Sequence, residues 1–447
     1  MNFITDLSFT RNIATFPARD FQLFKKQLFS WAGNFFSCVC FDSNDYAEFH
    51  PHRRLFAAAG EIEIMPAHDG VFSSLKKFFD QQPDWLFGFF SYDLKNETEP
   101  KIFPQADSRF DGIQFPAGYF FRPKHIVEVS DDTVVIHSTE NPKEIFESIV
   151  NTAVHEFSPP ENKKLQHRIS RSEYIKIVRA IKEHIAQGDL YEMNFCQEFF
   201  VKDISINPAS LFSKLNEISP SPFSCFVKHD EKFLLCASPE RFLKKERRKI
   251  FSQPMKGTIR RSEGVGESEG DKKLIEVLRN DPKERAENVM IVDLVRNDLA
   301  RSAVPGSVKA DELFGVYTFP QVHQMISTIS ATLRDDVHFV DAIKHAFPMG
   351  SMTGAPKVMA MQLIDRYEKV KRGLFSGSVG SISPEGDFDF NVVIRSLFYN
   401  ASSNYLSFQT GSAITHESIP EKEYEECLLK AKAIMQALQI HEGAVNF

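Results

Sequence analysis

The chain has 447 residues, 42% hydrophobic and 25% charged, enough apolar material for one large domain or two ordinary ones and too much for a disordered chain. Its formal net charge of −7, with no run of Lys and Arg interleaved with aromatics, argues against a nucleic-acid partner. No apolar run reaches the roughly 18 residues of a membrane span, and Asp6 and Arg11 interrupt the start before a signal-peptide core can form, so a cytosolic (cytoplasmic) protein with no membrane partner is expected.

Residues 1–157 read as a mixed α and β region, with short strand-like runs at Phe35–Phe41 and Trp85–Ser91 between Pro, Gly, Asn and Asp clusters. The polar passage Ser158-Pro-Pro-Glu-Asn-Lys-Lys reads as a linker and sets a boundary before a second region, 165–440. There Ser170-Arg-Ser-Glu173 has capping-box spacing, and Tyr174, Ile177, Val178, Ile181 and Ile185 share one face until Gly188, which predicts a helix. Strands are predicted at Phe195–Val201, Phe223–Val227, Phe233–Cys236 and Lys249–Ser252. Long helices mixed with such strands, without a regular βαβ alternation, predict an α+β class. The run from Arg260 to Asp271, with Gly264, Gly266 and Gly270 and no core-forming side chains, predicts a solvated loop or a lid. Six cysteines without a C-x-x-C pair are expected as buried free thiols. The 43 phenylalanines are expected to fill core and sheets.

Three features carry possible chemistry. Glu284 and Glu287 share a face of one predicted helix, and Glu423 and Glu426 repeat the spacing on the last. Each pair alone reads as a solvated face; together they suit Mg, which takes few carboxylates plus waters and an anionic substrate. Lys256, in Gln253-Pro-Met-Lys-Gly-Thr, ends a strand-like run. It is a surface charge or a nucleophile, and as a nucleophile it needs its amine freed from an ordinary pKa of about 10.4.

Ser238-Pro-Glu-Arg-Phe, Pro254-Met-Lys-Gly-Thr, Ala286-Glu-Asn-Val-Met-Ile-Val-Asp-Leu-Val-Arg-Asn-Asp-Leu, Phe347-Pro-Met-Gly-Ser-Met-Thr-Gly-Ala-Pro-Lys and Ile394-Arg-Ser resemble, in content and order, the signatures of chorismate-utilising enzymes. The resemblance spans about Ser170 to Leu438 and is weaker before it. It implies two large, mostly antiparallel β-sheets packed as a sandwich, with helices outside and the active site in the cleft between them. It implies Glu287 and Glu426 as Mg ligands with Glu284 and Glu423 as outer partners, Glu240 as the acid for the leaving hydroxyl, and His323 near the reacting ring. Gly257, Thr258, Ser351, Arg395, Lys430 and the turn Gly411, Ser412, Ala413 match positions that hold substrate carboxylates or line the pocket.

Lys256 resembles the lysine of the aminodeoxychorismate-forming branch, where anthranilate and isochorismate synthases carry Ala. That likeness implies a lysine adduct at ring carbon C2, then ammonia at C4, giving 4-amino-4-deoxychorismate for p-aminobenzoate and folate synthesis. At the position where water-adding relatives place a lysine this chain has Glu192, and the usual residue of amine-adding relatives is Gln. Ser381 stands where many relatives have Tyr, and Phe41-Asp-Ser replaces the Leu-Glu-Ser motif tied to tryptophan feedback, which disfavours that regulation. With no glutaminase signature in the chain, ammonia is expected from a glutamine amidotransferase subunit or from solution. Anthranilate synthase component I and a catalytically silent binding or scaffold subunit are the competing readings.

Overall fold

The computed structural model describes residues 10–50, 53–66, 70–103, 108–160, 164–261, 268–319 and 322–440. Residues 262–267 of the expected loop or lid, with Gly264 and Gly266, lie outside that set.

The predicted helix runs from Arg171 to Gln187 with the Ser170 side chain accepting from the Glu173 amide, and Gly188 closes it in the left-handed region at φ 84°. Glu192–Val201, Phe223–His229, Lys232–Ser238 and Lys249–Gln253 are strands, each somewhat longer than its apolar run. All described ladders are antiparallel and form two branches of one hydrogen-bonded network. One branch passes from Asn12–Pro17 through Thr133–Ser138, Gly118–Ser130, Leu55–Ile64, Ser37–Asp42, Phe223–His229, Lys232–Ser238, Ser396–Asn400 and Tyr405–Ile414 to Glu192–Val201. The other leaves Gly118–Ser130 through Leu86–Phe90, Ser378–Ile382, Phe388–Asn391, Arg241–Glu246 and Lys249–Gln253 to Val322–Thr332, which takes Met255–Arg260 farther along the same edge and Lys309–Thr318 on its other edge. The expected α+β class is thus present. The long strand Gly118–Ser130 is what makes the two sheets continuous.

Burial explains why the branches stay together. Val39, Ala58 and Val227 of the first share one apolar cluster with Phe87, Phe89 and Phe390 of the second, and Phe90 and Phe120 pack at 4.8 Å between ring centres. Helices Phe21–Ala32, Pro208–Ile218 and Pro420–Ala437 cover the first branch through Phe29, Leu215 and Ile434. Helix Pro282–Ala300 lies on the second through Val292, Val295 and Leu299. The two sequence regions share ladders and core: Ser37–Asp42 pairs with Phe223–His229, and Leu86–Phe90 with Ser378–Ile382. All six cysteines are free and buried, as the sequence predicts.

Candidate functional site

Lys256 leaves its strand at a β-bulge. Met255 opposes Ile326 and Thr258 opposes Gln324, so Lys256 and Gly257 together face Met325. A bulge bends the strand and re-aims a side chain that regular pleating would not. Gly257 takes φ 94°, and a Cβ there would stand 3.1 Å from Glu284 Oε2 and 3.2 Å from Met325 Cβ, so glycine answers both backbone and space. Gln324 fastens the bulge: its Nε2 donates to the Gly257 carbonyl at 2.7 Å, and its Oε1 accepts from Thr258 Oγ1 at 2.9 Å. Asn288 donates to the Lys256 carbonyl at 3.4 Å and accepts from Ser327 Oγ at 2.6 Å.

The Lys256 side chain is 11% exposed, and its Nζ lies 2.5 Å from Oε1 of Glu192, itself 3% exposed. Glu192 starts a strand of the other branch, so this contact joins the two sheets at the site. Burial pulls the amine pKa down. The opposing charges of Glu192, Glu287 and Glu426 outweigh it and leave the pKa above the ordinary lysine value. The free amine that a nucleophilic role requires is therefore not supplied by the chain alone: its surroundings hold the proton on. Glu192 Oε2 is buried and has no hydrogen-bond partner.

Glu240 follows strand Lys232–Ser238, and its amide donates to Ser238 Oγ at 3.2 Å. Burial lifts its carboxyl from 4.5 to about 7 against the opposing pull of the Ser351 hydroxyl, Lys256, the Met255 backbone and Arg395. A carboxyl so placed is about half protonated at neutral pH, where an ordinary carboxylate is not, and a general acid requires that proton. Glu240 and Ser351 line one small cavity with Ser252, Asp298 and Met349. Arg395 sits at φ 52° after strand Phe388–Asn391. Burial lowers its pKa and Glu240 opposes that fall.

The two acidic helices converge on Lys256 in charge. Glu287 is raised by burial first, with Glu192 and Glu426 adding to the rise and Lys256 and Lys283 opposing it. Glu284 is raised by burial and then by Glu287. Glu426 is lowered overall: burial would raise it, but Lys430, 2.7 Å away, and then Lys256 prevail. Glu423 is buried in the first turn of its helix. Among the described residues no three His, Cys, Asp or Glu side chains form a ready cage for a metal. Glu287 and Glu426, from two helices and with the charge of Glu426 felt at Glu287, are a donor set that suits Mg, which keeps several waters and needs few protein oxygens.

Other predicted positions divide. Lys430 Nζ donates to the Gly411 carbonyl at 3.0 Å as well as pairing with Glu426. Gly411 leaves no room for a side chain, since a Cβ would stand 2.2 Å from the Phe195 carbonyl. Ser412, between Gly411 and Ala413 on one strand, turns the opposite way. Its fully buried hydroxyl lies 3.3 Å from the Tyr174 hydroxyl, so its side chain belongs to the core rather than to the pocket lining. His323 is fully buried, with Nε2 3.3 Å from Asp271 Oδ1 and Nδ1 3.0 Å from Thr318 Oγ1. Among the described residues its ring makes no hydrogen bond or ion pair with Lys256, Glu192 or Glu240.

One support escaped the sequence. Arg372 and Glu368, spaced i,i+4 like an ordinary helix-surface pair, are 0% and 2% exposed and 2.6 Å apart. Arg372 donates to the carbonyls of Met352 and Asn194, and Glu368 accepts from the Cys196 amide. The pair thus locks the strand bearing Glu192 to the turn bearing Ser351.

Comparison with known proteins agrees with this geometry. The family of chorismate binding enzymes matches residues 37–436. The aminodeoxychorismate synthase component 1 of Escherichia coli (strain K12) is 39% identical over 288 residues, 64% of this chain and 62% of that protein. The anthranilate synthase component 1 of Aquifex aeolicus (strain VF5) is 38% identical over 283 residues, 63% of this chain and 56% of that protein. The matches span less than two thirds of these relatives' own length. In fold, the chain is similar to the crystal structure of anthranilate synthase component I from Streptococcus pneumoniae TIGR4, with a TM-score of 0.71 and 24% identity over 86% of this chain and 92% of that one.

Proposed function

The chain belongs to the family of chorismate binding enzymes, and on that premise we propose that it is the chorismate-aminating subunit of an aminodeoxychorismate synthase, forming 4-amino-4-deoxychorismate in a folate-directed route. The observation that carries this reading is the buried amine of Lys256, aimed by a bulge between two acidic helices and an acid that is half-protonated near pH 7.

Chorismate is a dicarboxylate with a poor leaving hydroxyl, so the site must hold two anions and protonate an oxygen. Arg395 offers a half-buried guanidinium within reach of the Glu240 charge. The carboxylates of Glu287 and Glu426, whose mutual repulsion favours a shared cation, would hold Mg. When bound there, Mg would supply positive charge to a substrate carboxylate and offset two of the three carboxylates that keep Lys256 protonated. Lys256 Nζ attacks ring carbon C2, the double bonds shift, and the C4–O bond breaks. Glu240 gives its proton to the departing oxygen, which leaves as water. Ammonia then bonds to C4, the electrons return, and the C2–N bond to lysine breaks. The ammonia comes from a glutamine amidotransferase subunit or from solution.

Liquid chromatography and mass spectrometry of the purified chain with chorismate, Mg and ammonium tests this. The expected product is 4-amino-4-deoxychorismate, with glutamine serving only when a glutaminase subunit is added. Anthranilate with pyruvate would move the chain to the anthranilate synthases, and no conversion would support a silent subunit.

A further inference from the structure

We infer that Glu192 is a catalytic residue of this chain: its carboxylate takes the proton from the Lys256 ammonium so that the free amine can attack, and returns it when the amine is expelled. The inference rests on the reaction proposed above and assigns it a group that a glutamine at the same place could not supply.

Three observations carry it. Glu192 Oε1 stands 2.5 Å from the reacting nitrogen, in direct charge-assisted contact. Both side chains are nearly sealed from water, at 3% and 11% exposure, so the lysine proton has no easy path to bulk solvent. The second oxygen, Oε2, is buried without a partner, a situation native proteins seldom tolerate without a functional reason. The carboxylate can therefore receive a proton on one oxygen and still accept a hydrogen bond on the other. Around the pair stand Glu287 on helix Pro282–Ala300 and Glu426 on helix Pro420–Ala437, both favouring the ammonium, and Glu240 after strand Lys232–Ser238. In a desolvated site, transfer within the pair replaces two opposite charges by two neutral groups, and burial favours that exchange.

The proton balance closes. Lys256 passes one proton to Glu192; the amine bonds to C2 and water leaves with the Glu240 proton. Ammonia bonds to C4, the C2–N bond returns its electron pair to the amine, and Glu192 gives its proton back. The product carries its ammonium at C4, and Glu240 is reprotonated from solvent.

Glu192→Gln keeps a hydrogen bond to Lys256 and removes the acceptor. For chorismate amination with ammonium and Mg, it should lower kcat/KM about 100-fold or more near pH 7. Measured against the wild type at each pH, the variant's rate should climb roughly tenfold per pH unit, because its amine must lose a proton to water, while both enzymes share the fall above about pH 7 as Glu240 ionises. Glu192→Asp, which keeps an acid, should retain the wild-type profile at reduced rate. Circular dichroism checks that each variant is folded. A Glu192→Gln enzyme with the wild-type profile and a rate within about threefold overturns this inference alone. A wild type that makes no 4-amino-4-deoxychorismate overturns the parent reading, and this inference with it.

Discussion

Replacing Glu240 by Gln gives a stability change whose size follows from the site. The Glu240 carboxyl is 4% exposed, and its pKa rises from 4.5 to about 7 in the folded chain. A group whose folded pKa is raised binds its proton more tightly in the native state. Its stabilising contribution is whole below pH 4.5 and is lost as pH rises through about 7. At about 1.4 kcal/mol per pH unit, the shift amounts to about 3 kcal/mol lost between pH 4.5 and pH 8. Gln cannot ionise, so Glu240→Gln should escape this loss. Comparing each protein with itself at two pH values cancels the pH-independent effect of the substitution. Urea unfolding of wild type and variant, without Mg, at about pH 5 and about pH 8 measures the difference, and the gap should move in the variant's favour by about 2 to 3 kcal/mol. Parallel pH dependences would refute the buried, proton-holding carboxyl. In activity the variant should fall by about 10² to 10⁴, the ordinary range for a lost general acid.

Three further outcomes follow from the same geometry. Gly257→Ala should destabilise the chain by about 1 to 2 kcal/mol through its left-handed backbone alone, with a further loss of activity as its methyl presses on Glu284; urea midpoints and initial rates read both. Arg372→Met strands the buried Glu368 carboxylate and should cost about 3 to 5 kcal/mol, much of it recovered when Glu368 is also made apolar, as chemical denaturation of the single and double variants would show. Arg395→Ala should raise KM for chorismate at least tenfold, about 1.4 kcal/mol of lost ground-state binding, while the unfolding midpoint holds or rises because a half-buried cation is removed; an unchanged KM would take Arg395 out of the binding site.

Local chemistry was the legible part of this sequence. Ser170, Glu173 and Gly188 fixed helix Arg171–Gln187 because caps act within a few residues. The carboxylate pairs placed Glu284 with Glu287 and Glu423 with Glu426 on helix faces for the same reason. Long-range pairing was opaque: nothing in Ser37–Asp42 announces Phe223–His229 as its neighbour, which is why a linker near residue 158 reads as a boundary although ladders cross it. The bulge at Lys256 depends on register with Val322–Thr332, and register is a property of two strands together. Glu368 and Arg372 show how spacing misleads, since an i,i+4 pair reads the same exposed or buried. Lys256 posed the converse difficulty. The motif marked it as a possible nucleophile, but the three carboxylates that keep it charged come from elements far apart in the chain.

Mass spectrometry of Lys256→Ala beside the wild type, each with chorismate, Mg and ammonium, tests the nucleophile most directly. The account predicts 4-amino-4-deoxychorismate from the wild type, a chorismate-derived mass on the peptide bearing Lys256 when ammonium is withheld, and loss of both in the variant. Undiminished product from a folded Lys256→Ala chain would contradict it.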